Sequence, residues 1–223
     1  MTTRSPSPNP TYRLIPSRFP PIGLFDTVAN VADMEAAMEL AGWTNDRLVA
    51  ERVRLLPRQS WPMKTPNASI VMAAFLHAPV NGMRFSSSLL GAWYAADDVL
   101  TSIAEVGHHL RREAFSIGKP SLSRQYRTYV AELDGLYVDI RGLQAERPEL
   151  FDSGSYAASQ PFGEAARATG EAGLLYPSAR RRGFTSIAAF IPSNIRNVVQ
   201  AEHYRLTVHA GSNRIEIERL GQS

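Results

Sequence analysis

The sequence predicts an α+β fold, and three observations carry that expectation. Helix-like and strand-like segments occur in separate runs, without the regular strand–helix alternation of a doubly wound sheet. The strand-like segments are mostly short and are punctuated by turn residues such as Asn81-Gly82, Asp134-Gly135 and Gly211-Ser212-Asn213. The chain has 223 residues, of which 44% are hydrophobic and 20% charged, a balance suited to one globular unit with a sizeable core.

Taken in order, residues 1–10 are rich in Ser, Pro, Asn and Thr and read as a disordered tail. Residues 11–223 read as a single domain. Tyr12 to Ile15 is a first strand, closed by Pro16, Pro20 and Pro21. Residues 28–56 carry helical spacing, with Met34, Met38 and Ala41 and then Leu48, Val49 and Val53. A proline-rich loop follows up to Pro66, and the apolar run from Ala68 to Leu76 fits a strand or a helix equally.

Ala92 to Ala96 reads as a buried strand. Asp97 and Asp98 can cap a helix from about Val99 to Arg112, with Ile103, Val106 and Leu110 as its apolar stripe. Glu105 lies off the centre of that stripe, on a face shared with Thr101, Ser102, His108 and His109. Strands are expected at 126–130 and 136–140, a helix at 162–169, strands at 174–176 and 186–191, and a last hairpin from 204–208 and 214–218. The Arg180-Arg181-Arg182 loop reads either as a solvated turn or as a contact for phosphate or nucleic acid.

Several chemistries are excluded by what the chain lacks. It has no cysteine, so disulfides, thiolate metal sites and thiol nucleophiles are absent. No GxGxxG, GxxxxGK[ST], HExxH or GxSxG motif is present. The five histidines have no matching acidic ligands at metal spacing, so no metal is expected. A net charge of +3 makes no broad case for nucleic-acid binding. The opening residues lack the apolar core of a signal peptide and no apolar run approaches membrane-spanning length, so a cytoplasmic protein without membrane contact is expected.

What remains is a set of polar residues at the ends of apolar segments: Arg84, Tyr94, Glu105 and Ser178. Each also fits a plain role, as surface cation, core aromatic, solvated helix residue and turn cap. Together they suit cleavage of an N-glycosidic bond, which passes through a positively charged, oxocarbenium-like ribose. A carboxylate can stabilise that charge, arginines can hold a pyrophosphate, and a tyrosine ring can stack on a flat leaving group.

These residues stand in segments that resemble the RES domain family. The resemblance is carried by Arg84-Phe85-Ser86, Gly91 to Ala96 and Ser102 to Val106, then by Ser159-Gln160, Gly173 to Arg180 and Ala188 to Phe190. The family's eponymous Arg, Glu and Ser look like Arg84, Glu105 and Ser178. Tyr12-Arg13 resembles its opening strand. The resemblance implies a fold like that of the ADP-ribosyltransferases, a core of short mixed and antiparallel strands with flanking helices.

It also implies the toxin of a type II toxin–antitoxin pair that degrades NAD⁺ as its substrate by hydrolysis or phosphorolysis. The implied partner is an Xre-type helix-turn-helix antitoxin, with homo-oligomerisation left open. By this resemblance Arg84 and Arg13 grip the phosphates and Tyr94 packs near nicotinamide. Glu105 stabilises the ribosyl cation, Ser178 positions the substrate, and Gln160 joins the substrate-binding set. Two departures stand out. Met83-Arg84-Phe85 replaces the family's usual Gly-Arg-Trp, and residues 28–66 lengthen the stretch between Arg13 and Arg84 into an inserted helical and proline-rich segment. The competing activities are transfer of ADP-ribose to a protein and non-catalytic binding through the arginine loop.

Overall fold

Segments that alternate apolar and polar side chains pair into strands where each face can find its own cover. The structure is a computed structural model describing residues 3–18, 50–62 and 65–221. Among these residues the strands are β1 (Thr3–Pro6), β2 (Thr11–Pro16), β3 (Trp93–Ala96), β4 (Ser121–Leu133), β5 (Leu136–Asp139), β6 (Gly173–Pro177), β7 (Thr185–Ala189), β8 (Ile195–His209) and β9 (Ile215–Leu220). The helices are α1 (Ala50–Arg54), α2 (Ala68–Leu76), α3 (Val99–Ser116) and α4 (Ser159–Ala168). The strands form one mixed sheet in the order β1-β5-β6-β7-β3-β2-β4-β8-β9. β5 and β6 run parallel and the other neighbours antiparallel. The fold is therefore α+β.

The period of two divides the side chains cleanly. Trp93, Ala95, Tyr137, Leu175, Ile187 and Ala189 face one side, where α2 covers them with Val71, Met72, Phe75 and Leu76. The run from Ala68 to Leu76 is thus a helix, and it is apolar nearly all round because it is buried nearly all round. On the opposite side two separate clusters form. Phe85, Val138, Ile140, Leu174, Tyr176 and Ala188 lie under α4, whose Phe162 and Ala166 pack on them. Leu14, Tyr126, Leu206 and Val208 lie under Ile103 and Leu110 of α3.

The boundary between these clusters is the seam between β3 and β2. Those strands pair at a single position, Tyr12 opposite Ala96, whereas β4 and β8 pair along most of their length. The sheet is open at this seam, and the open seam positions the site.

Some expectations change. Residues 3–6 are not a disordered tail: β1 pairs with β5, from Thr3 opposite Asp139 to Pro6 opposite Leu136. The tether is long-range, with Ser5 Oγ donating to Asp139 (3.1 Å) and Arg4 pairing with Glu171, so local composition does not reveal it. β4 and β8 far outrun the short stretches expected, because their outer ends are half-exposed and polar and lose the apolar alternation. The Asp134-Gly135 turn carries the chain from β4 in one half of the sheet to β5 in the other, since these two strands pair with different neighbours. Most of the inserted helical segment, residues 28–49, lies outside the described residues; α1 is its described end. No helix among the described residues is long and apolar enough to cross a membrane.

Candidate active site

A cleft of about 270 Å³ opens over the seam. Its walls are α3 on one side and the loop 81–91 on the other, and its floor comes from β3, β6 and β7. Arg13, Arg84, Tyr94, Glu105, His108, Tyr176, Arg180 and Ser186 all line it. Thus the structure brings together Arg13, Arg84, Tyr94 and Glu105, which are spread over 92 positions of sequence from 13 to 105.

The carboxylate wall is built on a well-capped helix. Asp98 has extended backbone and its Oδ2 accepts from the Thr101 amide (3.0 Å), so α3 begins where β3 ends. Glu105 follows two turns on. Ser178, in the turn after β6, donates its hydroxyl to Glu105 Oε1 at 2.7 Å. The same Oγ accepts the amides of Arg180 (3.2 Å) and Arg181 (3.1 Å). Ser178 is buried and its hydroxyl is fully engaged, so it fixes the carboxylate in place. Glu105 makes no salt bridge with a described residue, which leaves its charge available to the cleft.

The arginine run is only partly a solvated turn. Arg181 pairs with Asp98, donates to Thr101 Oγ1 (3.0 Å) and stacks on Phe184. Arg180 donates to His108 Nε2 at 2.8 Å. A guanidinium has no acceptor, so that nitrogen carries the lone pair and the proton of the neutral ring sits on Nδ1. Burial first, then the positive charge of Arg180, push His108 down to about 4. Arg182 is exposed.

The opposite wall is loop. Arg84 donates to the carbonyls of Asp152 (2.8 Å) and Leu150 (3.3 Å), with Tyr156 beneath its guanidinium at 5.4 Å. The Tyr94 hydroxyl meets Ser86 Oγ at 2.9 Å and accepts the Phe85 amide at 3.4 Å. Burial raises Tyr94 to about 12, so the phenol is neutral. Arg13 spans the seam, donating to the Tyr94 carbonyl (2.9 Å) over the Trp93 ring (4.9 Å). Burial lowers its pKa to about 10, and the group stays cationic at neutral pH.

Two expected residues stand back from the cleft. Ser178 touches it through Glu105. Gln160 donates to the Asn81 carbonyl (2.8 Å) and is not among the lining residues, so its amide serves the loop rather than the cavity. Sequence reasoning missed Tyr156, Tyr176 and Ser186, and it named Arg180 only as part of the arginine loop. Tyr176 packs edge-on against Phe85 (4.8 Å between ring centroids), and burial raises its pKa well above the usual value. Ser186 is buried and its hydroxyl has no hydrogen-bond partner among the described residues. Strand alternation puts Ser186 opposite both Ala96 and Tyr176 on the cleft face, a signal readable only once the register is known. Among the described residues no group of His, Asp and Glu could hold a metal ion.

The arrangement supplies a carboxylate, Glu105, without an ion-pair partner among the described residues, together with a flanking set of arginines and aromatic rings. That set can stabilise a cation formed on a ligand whose phosphates and flat ring are held on either side.

In comparison with known proteins, residues 50–209 match the RES domain. That match covers the segments singled out above from Arg84 to Phe190 and leaves out Tyr12-Arg13. A Sinorhizobium fredii protein named uncharacterized protein y4oC is 27% identical over 196 residues, covering 87% of this chain and 80% of its own length. Among solved structures, a chain of the M. tuberculosis MbcT–MbcA toxin–antitoxin complex aligns with 55% of this chain and 73% of its own, at 19% identity and a TM-score of 0.40.

Proposed function

The chain belongs to the RES domain family, and we propose that it is an enzyme that cleaves the nicotinamide–ribose bond of NAD⁺, acting as the toxin of a toxin–antitoxin pair. The observation that carries this reading is Glu105. Its carboxylate is oriented by Ser178 at 2.7 Å and left without a salt bridge to a described residue, inside a cleft that arginines line.

The chemistry follows from that placement. The bond from the ribose anomeric carbon to the pyridinium nitrogen breaks, and its electron pair leaves with neutral nicotinamide. The positive charge that develops on the ribose is stabilised by Glu105. Arg84 and Arg180 offer charge-assisted hydrogen bonds to the pyrophosphate, with Arg13 as a further cation at the seam. Tyr94 and Tyr176 provide apolar, uncharged surface for the leaving ring. An acceptor then bonds to the anomeric carbon and releases its proton. Water gives ADP-ribose and inorganic phosphate gives its phosphorylated form. The partner in this reading is an Xre-type helix-turn-helix antitoxin that covers the cleft.

The test is to incubate the purified chain with labelled NAD⁺, with and without phosphate. Released nicotinamide together with free ADP-ribose or its phosphorylated form is the expected result. Label on protein instead would make the chain an ADP-ribosyltransferase, and intact NAD⁺ in every condition would end the reading.

A further inference from the structure

One face of α4 is spent on a loop it does not belong to. Gln160, Gly163, Glu164 and Arg167 recur at helical spacing, so they share that face. Gln160 donates to the Asn81 carbonyl at 2.8 Å, Glu164 Oε1 accepts the Ser87 amide at 2.7 Å, and Arg167 donates to the Gly91 carbonyl at 2.8 Å. These contacts grip the loop at its start, middle and end. Gly163 lets the two backbones meet: a Cβ there would stand 2.0 Å from the Phe85 carbonyl oxygen. Glu164 and Arg167 also face each other at 3.4 Å, and Arg167 lies on the Phe190 ring at 4.7 Å.

The gripped segment carries both Arg84, which points into the cleft, and Ser86, which holds the Tyr94 hydroxyl at 2.9 Å. Its backbone pairs with no strand of the sheet: Met83 and Ser86 bridge within the loop, and the Gly91 amide donates to the Phe75 carbonyl of α2 at 2.7 Å. Backbone groups turned away from water need partners, and here side chains supply several of them: those of α4, and Arg52 of α1, which donates to the Ser88 carbonyl at 2.9 Å.

We propose that Glu164 and Arg167 are positioning residues of the cleft, fixing through the backbone of residues 81–91 where Arg84 and the Tyr94 hydroxyl stand. The role rests on the reading of the cleft as an NAD⁺-cleaving site. Neither residue lines the cleft, so each acts through the loop. For Glu164 the required chemistry is acceptance of one amide hydrogen bond, which a glutamine oxygen can also perform. For Arg167 it is donation to one carbonyl, which lysine can reproduce and methionine cannot.

A double-mutant cycle on kcat/KM for NAD⁺ tests this. Glu164→Leu should lower kcat/KM by about tenfold or more in the natural background, the range set by a hydrogen bond to a charged group. In an Arg84→Ala background the same change should have a distinctly smaller effect, because one of the two groups it positions is gone. Glu164→Gln should recover most of the loss. Full additivity in the Arg84→Ala background, or a glutamine variant as impaired as the leucine one, would overturn the role. If Glu164→Leu does not fold, Arg167→Met against Arg167→Lys repeats the comparison. Amide exchange gives a readout independent of catalysis: Ser87 should exchange at least about tenfold faster in Glu164→Leu than in Glu164→Gln. Equal exchange rates would refute the clamp even if wild-type protein cleaves NAD⁺. An inactive wild-type protein with the exchange difference intact would instead refute the assigned reaction.

Discussion

The two walls of the cleft are built differently. The carboxylate wall is regular structure: Glu105 rides on a helix whose start is set by Asp98, and its rotamer is set by Ser178 in the adjoining turn. The cation wall is a loop, whose backbone is held by side chains from a helix 76 to 79 positions away in sequence. An anion on a helix can be placed by local rules of capping and periodicity. A cation on a loop needs contacts that local rules do not supply. The difference locates robustness on one side and dependence on packing on the other.

The largest effect on the loop side is expected from Gly163→Ala. The added carbon meets the Phe85 carbonyl at 2.0 Å, and a backbone atom cannot swing aside as a side chain would. A loss of about 1–3 kcal/mol of stability is expected by chemical denaturation, from overpacking. No loss would mean that the loop yields easily and that the walls are less different than described. Next, Ser178→Ala removes a hydroxyl bonded to a charged group and should reduce NAD⁺ cleavage by about tenfold or more, with the helix intact by circular dichroism. On the loop side, Tyr94→Phe removes the contact to Ser86 while keeping the ring. A fall in kcat/KM of about threefold to tenfold is expected, in line with a neutral hydrogen bond.

The smallest effect concerns pH. His108 is held neutral, with its pKa pushed down to about 4 by burial and by Arg180. In the unfolded chain an ordinary histidine protonates near pH 6.5. Between about pH 6.5 and 4 the unfolded chain therefore binds a proton that the folded chain refuses, and stability falls as pH falls through that window. Melting temperatures taken at pH 7 and pH 4.5 should drop less in His108→Gln than in the natural protein. An identical drop would remove His108 from the account.

How much of this was legible in the sequence follows the same division. The α3 cap, the Ile103–Leu110 stripe and the strand at Trp93 are local patterns, and the structure has them where periodicity puts them. β1 was not legible, because its strand character comes from pairing with β5 more than a hundred residues away. The length of β8 was not, because its exposed end carries no apolar alternation. In the cleft, Arg13, Arg84, Tyr94 and Glu105 were nameable from the residues that resemble the RES family, and they do converge. The fit of Gln160 to Asn81 and the placement of Ser186 on the floor depend on register and loop path, which no local pattern encodes.

The central claim is that the Glu105 carboxylate stabilises charge formed on the ribose of NAD⁺. Glu105→Gln keeps the size and can keep the hydrogen bond from Ser178 while removing the charge. Nicotinamide release from NAD⁺ by this variant, compared with the natural protein at equal fold content, should fall by about a hundredfold or more, the scale of losing one electrostatic stabiliser of a transition state. Release within about threefold of the natural rate would contradict the account.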